Sequence, residues 1–151
     1  MNIPDNVLRS YRWFREHGTV PVKHALDYAY AEAWAEDNED SVRIKWLHDP
    51  DPDWSYLDQE DCYSKKCKEA VLKQYHGGDL LVMGCVIEIL KVTPACAHCG
   101  RSETRVWEEA AGLWGIQLLG WADPYKRWQT AELLLEAMPD ESYPAQKERA
   151  A

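Results

Sequence analysis

Apolar and polar positions alternate along this chain with periods that change from segment to segment. Val7, Leu8, Tyr11 and Phe14 fall at the i, i+1, i+4, i+7 spacing of one helical stripe. Pro4 suits a first turn, and Gly18 after His17 is a stop signal. A second helix is expected from near Pro21 to residues 36–38, with Val22, Ala25, Leu26, Ala29 and Ala33 as its stripe. The short link between them implies an antiparallel or angled helical pair. Residues 42–47 switch to period two, which predicts a strand. The Asp49-Pro-Asp-Pro-Asp53 run is an exposed, stiff loop, because proline lacks the N–H and fixes φ. Residues 63–75 read as a third, basic helix, with Lys65, Lys66, Lys68 and Lys73, closed by Gly77-Gly78.

Residues 80–93 are strand-like, 94–102 form a turn, and 103–111 return as the other arm of a hairpin. Residues 112–119 are a further strand or its continuation. Asp123 as N-cap and Pro124 at the first helical position open the last helix. Tyr125, Trp128, Ala131, Leu134, Leu135 and Met138 form its buried face, and Pro139 ends it. The expected fold class is therefore α+β: an N-terminal helical pair, a small antiparallel sheet of about three strands, and a C-terminal helix packed on the sheet. Residues 1–139 make one domain and 140–151 a disordered tail. Trp107, Trp114, Trp121 and Trp128 recur every seven residues, yet Gly112, Gly115, Gly120 and Pro124 interrupt any helix that would turn this spacing into a heptad stripe.

With 151 residues the chain has the length of one domain, and a core needs no staples at that size. No apolar signal segment opens it and no apolar run is long enough to span a bilayer, so a cytoplasmic protein is expected. Five cysteines without a secretion signal do not suggest a disulfide framework. Eight Trp and eight Tyr against one Phe lean toward half-buried contact surfaces.

Charge changes the picture more. Lys and Arg number 17 against 26 Asp and Glu, a net −9. Residues 36–61 hold ten acids against Arg43 and Lys45. Such a surface repels phosphate, which argues against nucleic acid as a direct partner, and it fits a protein with a basic surface. Asp49, Asp51, Asp53, Trp54, Tyr56, Asp58 and Glu60 are the expected partner-binding residues, the acids steering and the aromatics anchoring. The basic helix that follows offers a rival use for these acids, pairing inside the fold.

The helical pair, the acidic Asp-Pro-Asp-Pro-Asp-Trp-Ser-Tyr-Leu loop, Gly84-Cys-Val-Ile-Glu88, and Gly112-Leu-Trp-Gly-Ile116 before a Leu/Glu/Ala-rich helix together resemble a loose set of small acidic proteins of bacteriophages and prophages. The resemblance covers roughly two thirds of the chain and lends no catalytic residue. It implies a mobile-element origin. Small acidic phage proteins often bind and disable a host machine, CRISPR and restriction complexes included, which suggests an inhibitor acting in a host cell.

Cys96-Ala-His-Cys99-Gly100 is the sharpest chemical motif. Two thiolates three residues apart in a tight turn grip one metal, as in zinc knuckles. A tetrahedral zinc site needs two further ligands, for which Cys62 and Cys67 are candidates, with His98, His76 or Cys85 as substitutes. The protein thus carries either no cofactor or a structural zinc, and a zinc-stabilised interaction module is the second reading. Asp49, Asp51, Asp53 and Glu60 match positions of a calcium loop, but Trp54 stands where glycine belongs and Pro50 and Pro52 intervene. Helices one and two resemble a DNA-binding pair only loosely, since Lys23 and His24 face Asp27, Glu32 and Glu36. Signatures of serine nucleophiles, P-loops, zincins and dinucleotide sites are absent. An enzyme using cysteine or carboxylate chemistry, with Cys85, Glu88 or Glu108, is the third reading, and a non-enzymatic protein is the expected one.

Overall fold

Asp5–Glu16 forms α1 in a computed structural model that describes residues 2–17, 22–59 and 64–142. Pro4 precedes it and accepts the Leu8 N–H at 2.9 Å; Asp5 in the first turn and Arg15 in the last complement the helix dipole. The other elements are α2 (Val22–Asp37), β1 (Val42–His48), a 3-10 turn (Ser55–Asp58), α3 (Lys65–His76), β2 (Leu81–Thr93), β3 (Thr104–Leu118) and α4 (Pro124–Ala137). Caps fix the later helices. Ser64 Oγ accepts the Cys67 N–H at 3.1 Å, and Asp123 Oδ1 accepts the Tyr125 N–H at 3.0 Å. The fold is α+β, as the sequence pattern predicts.

The three strands are antiparallel in the order β1-β2-β3. Period-two alternation sends Met83, Cys85 and Ile87 of β2 to one face, with Ala111, Ile116 and Leu118 of β3 and Val42 of β1. Ala31 of α2 and Leu133 and Leu134 of α4 close that core. Two smaller clusters contain no strand residue and tie α1 to the other helices: Val7 with Ala29, Tyr30 and Met138, and Phe14 with Ala25, Tyr28 and Ala131. Helix α2 is therefore buried on more than its predicted stripe, with Tyr28, Tyr30 and Ala31 also inside. That placement removes α2 from the role of an exposed recognition helix.

Thr104–Leu118, split in the sequence reading, form one strand because two bulges let β3 bend without breaking. Met83 pairs with Ile116 and Cys85 with Leu113, so Trp114 and Gly115 together oppose Gly84. Ile87 pairs with Ala111 and Glu88 with Glu109, leaving Ala110 as the extra residue. This second bulge brings Glu109, not Glu108, opposite Glu88. The last pair joining β1 to β2 is Val42 with Ile89, so the β2–β3 hairpin overhangs beyond it through Thr93 and Thr104. Asp140–Ser142 form a 3-10 turn at the start of the expected tail, whose remainder lies outside the described residues.

On the opposite sheet face Glu88 receives Arg43 at 3.0 Å and Lys45 at 2.7 Å, and Arg43 stacks 4.2 Å from the Trp107 ring centroid. Arg43 first, then Lys45, holds the Glu88 carboxyl below its ordinary pKa. A depressed carboxyl stabilises the fold above its unfolded pKa and loses that contribution as pH falls through the folded value. Glu88→Gln should therefore lower the urea midpoint at neutral pH, and the gap to wild type should close on acidification. A gap that stays constant with pH would show that the pair contributes nothing electrostatic. Among the described residues no helix is long and apolar enough to cross a membrane.

Candidate functional site

The acidic loop is held by its own chemistry. The Asp49 N–H donates to the Val82 carbonyl at 3.0 Å, fastening the loop to β2. Asp49 Oδ1 accepts the Asp51 N–H at 3.0 Å, and Asp53 Oδ1 accepts the Ser55 N–H at 2.9 Å. These are Asx turns, and with Pro50 and Pro52 fixing φ they present the carboxylates from a preorganised backbone. The Ser55 hydroxyl and then its backbone N–H hold the Asp53 carboxyl below the usual carboxylate range, so it stays ionised.

Downstream, Leu57 is buried and pins the 3-10 turn, while the Gln117 side-chain amide donates to the Tyr56 hydroxyl. Trp54 stands edge-on to Tyr75 of α3, centroids 5.0 Å apart, and tilted to Tyr56 at 6.5 Å. From the other side comes Trp114, whose ring lies against the backbone of Gly84: a Cβ there would sit 2.2 Å from Trp114 Cε3. Gly115, at φ +77°, makes the turn in the bulge that aims this ring.

The result is a cleft of about 270 Å³ lined by Asp49, Asp51, Asp53, Trp54, Tyr56 and Trp114, with Val82 and Gln117 at its floor. Five of the seven expected partner-binding residues meet in it. Asp58 does not line it, because it pairs with Lys68 of α3. Glu60 lies outside the described residues. None of Asp49, Asp51 and Asp53 takes part in an ion pair among the described residues. Trp114 and Gln117 are the contributors that sequence reasoning missed. Their signal was the Leu-Trp-Gly-Ile element, whose glycine marks a bulge.

The acidic segment is not one surface. Glu36 and Glu39 border another groove with Val42 and Ile44, at the start of β1, while the cleft follows its end. Seven strand residues separate the two, roughly 20 Å along β1. A larger open groove, about 450 Å³, runs between α1 and α4. Two of its charges are already matched to each other. Arg127 donates Nε and Nη2 to the two Glu32 oxygens at 2.7 Å each and lies 4.3 Å from the Trp13 ring centroid.

Among the described metal candidates the structure joins two, Cys96 and Cys99. The Cys96 N–H donates to the Arg101 carbonyl at 2.8 Å, closing the hairpin tip, and Gly100 follows Cys99 at φ +74°. The Cys99 N–H points at Cys96 Sγ at 3.4 Å. The Cys99 side chain first, then the Cys99 and His98 backbone N–H groups, lower the Cys96 thiol pKa. Cys67 lies on α3, beside Lys68 and its Asp58 partner, and does not join them; Cys62 lies outside the described residues. Among the described residues no group of three His, Cys, Asp or Glu side chains is placed to hold a metal ion, the calcium-like acids and His98 included.

The residues named for cysteine or carboxylate chemistry are dispersed. Cys85 is fully buried, and burial pushes its thiol up to about 11 despite the Thr130 hydroxyl and the Lys126 charge. Glu88 is held by two cations and Glu108 faces Lys91 at 3.8 Å. Comparison with known protein families, with curated proteins and with solved structures finds no match to this chain.

Proposed function

We propose that this chain is a non-enzymatic binding protein whose acidic aromatic cleft receives a basic segment of a partner protein. The observation that carries the reading is the cleft itself: three carboxylates, in no ion pair among the described residues, around Trp54, Tyr56 and Trp114. A Lys or Arg side chain entering it gains Coulombic attraction from the acids and cation–π contact from the rings, and both strengthen as water leaves. Stiff Asx turns limit the ordering cost on binding. The resemblance to small acidic phage proteins extends the reading. The partner is a host protein complex with a basic groove, an anti-CRISPR or anti-restriction target in the bacterial cytoplasm, and occlusion of that groove inhibits it. Nucleic acid does not bind directly in this scheme, because phosphate meets carboxylates.

The test is affinity capture from bacterial lysate with the tagged chain at low and high salt, then titration of the recovered partner. Asn at positions 49, 51 and 53 keeps the carbonyl oxygen that closes each Asx turn and removes the charge. With about 1–2 kcal/mol lost per desolvated charge pair, Asp49→Asn, Asp51→Asn and Asp53→Asn combined should weaken binding about 100-fold or more. Asp58→Asn, which touches only the Lys68 pair, should change it little. A folded triple variant that binds its partner undiminished would sink the proposal.

A further inference from the structure

The β2–β3 hairpin ends in half of a metal site. Cys96 and Cys99 share one turn, the Cys99 N–H is directed at Cys96 Sγ at 3.4 Å, and the positive φ of Gly100 holds the loop shape. Backbone N–H groups aimed at sulfur are the second shell that stabilises a metal-bound thiolate. Zinc in structural sites takes four Cys or His ligands. Among the described residues no third ligand joins these two. Gln59 and Ser64, which flank Cys62 in the sequence, belong with the 3-10 turn and α3. That assembly is fastened at Gln117, paired with Val82, whereas the tip follows Thr93. Eleven strand residues separate the two ends, about 35 Å.

Nothing among the described residues completes the site, and the geometry points to a second copy: we propose that one zinc ion joins two of these hairpin tips, each giving Cys96 and Cys99. Two-fold symmetry supplies two identical half-sites and closes a tetrahedron with no further residue. The overhang leaves room for it, because residues 91–93 and 104–106 pair with each other and extend past β1, beyond the Leu90 N–H that donates to the Ser41 carbonyl at 2.8 Å. Val92 and Val106, on opposite faces of that overhang, are 44% and 54% exposed, so a second arm laid on either face would shield one of them. Charge favours the same place. The chain carries −9, yet residues 91–108 hold Lys91, Arg101 and Arg105 against Glu103 and Glu108. The tips thus add little like-charge repulsion between two copies, and Arg101, whose Nη2 donates to the Pro94 carbonyl at 3.5 Å, brings a positive charge to the turn that would carry the excess negative charge of a four-thiolate zinc. On binding, four thiols release their protons to solvent and four sulfur–zinc bonds form; no oxidation is involved.

The experiment uses the full chain, purified with a chelator, freed of it, and kept in a non-thiol reductant. Zinc chloride is titrated while light scattering on a sizing column reads the mass. The expected result is saturation at half an equivalent of zinc per chain, with the mass doubling from 17.5 kDa and returning when chelator is added. Cobalt in place of zinc should give the visible absorption of a tetrahedral all-thiolate site. Cys96→Ser and Cys99→Ser, both on the projecting turn, should retain the native circular dichroism and lose the zinc-driven dimer. One zinc per chain on a monomer would overturn the proposal in favour of an intrachain site. So would no zinc uptake, or a dimer indifferent to chelator and to the serine variants.

Discussion

Replacing Phe14 by Ala should cost the fold about 3–5 kcal/mol. Its ring has no exposed surface and is the largest fully buried side chain of the helical layer. It meets Trp13 edge-on at 4.9 Å between centroids and lies tilted to Tyr28 at 5.7 Å. Ala25 and Ala131 are its small buried neighbours, with Tyr11, Trp128 and Leu135 packed around the cluster, and the alanines offer no side chain to refill the space. Since domains of this kind are stable by only about 5–15 kcal/mol, a large share of the stability hangs on one ring. Urea unfolding followed by tryptophan emission should show a midpoint lowered by that loss divided by the slope, with the slope itself unchanged. A loss under about 1 kcal/mol would mean that α1 unfolds separately from the sheet. The cleft has no residue of α1, so the folded fraction of Phe14→Ala should bind a partner as wild type does.

Gly84→Val should act on both stability and recognition. The new side chain would occupy the space of the Trp114 ring, since even the Cβ would lie 2.2–2.5 Å from three ring atoms. Trp114 is 47% exposed and has solvent to move into, so the strand survives with an overpacking cost of about 1–3 kcal/mol. The cleft loses one wall while every charge stays in place. If shape and cation–π contact matter beside charge, partner affinity should fall about tenfold in Gly84→Val at unchanged salt dependence. Calorimetric titration at two salt concentrations separates these contributions. Unchanged affinity would assign recognition to the carboxylates alone.

Much of this architecture was legible because local chemistry sets it. Asp123 and Pro124 announce α4 and cap it as expected, and the period-two pattern of residues 42–47 does become β1. The Asp-Pro repeat read correctly as a stiff exposed loop. What stayed hidden depends on partners distant in sequence. Nothing near Arg127 announces Glu32, 95 residues away, or the Trp13 ring beneath it. The heptad of tryptophans scatters into β3, the following loop and α4, so chance spacing is the right reading. Strand continuity through residues 112–118 was obscured because a bulge disrupts the period-two count at Trp114-Gly115. The basic helix looked able to neutralise the acidic segment, yet among the described residues only Lys68 reaches it, at Asp58. For the cysteines, sequence spacing brought four together on paper, whereas β2 carries the Cys96 turn away from α3.

The bulges bear on one more property of the chain. β3 is an edge strand of fifteen residues, long enough to template the addition of another chain's strand and so to seed stacking into fibrils. Its interruptions at Ala110 and at Trp114-Gly115 leave no long stretch of evenly spaced hydrogen-bonding groups along that edge. Exposed Glu108 and Glu109 add like charges that two stacked copies would bring into register. The same irregularity that turns Trp114 into the cleft therefore guards the open side of the sheet against polymerisation.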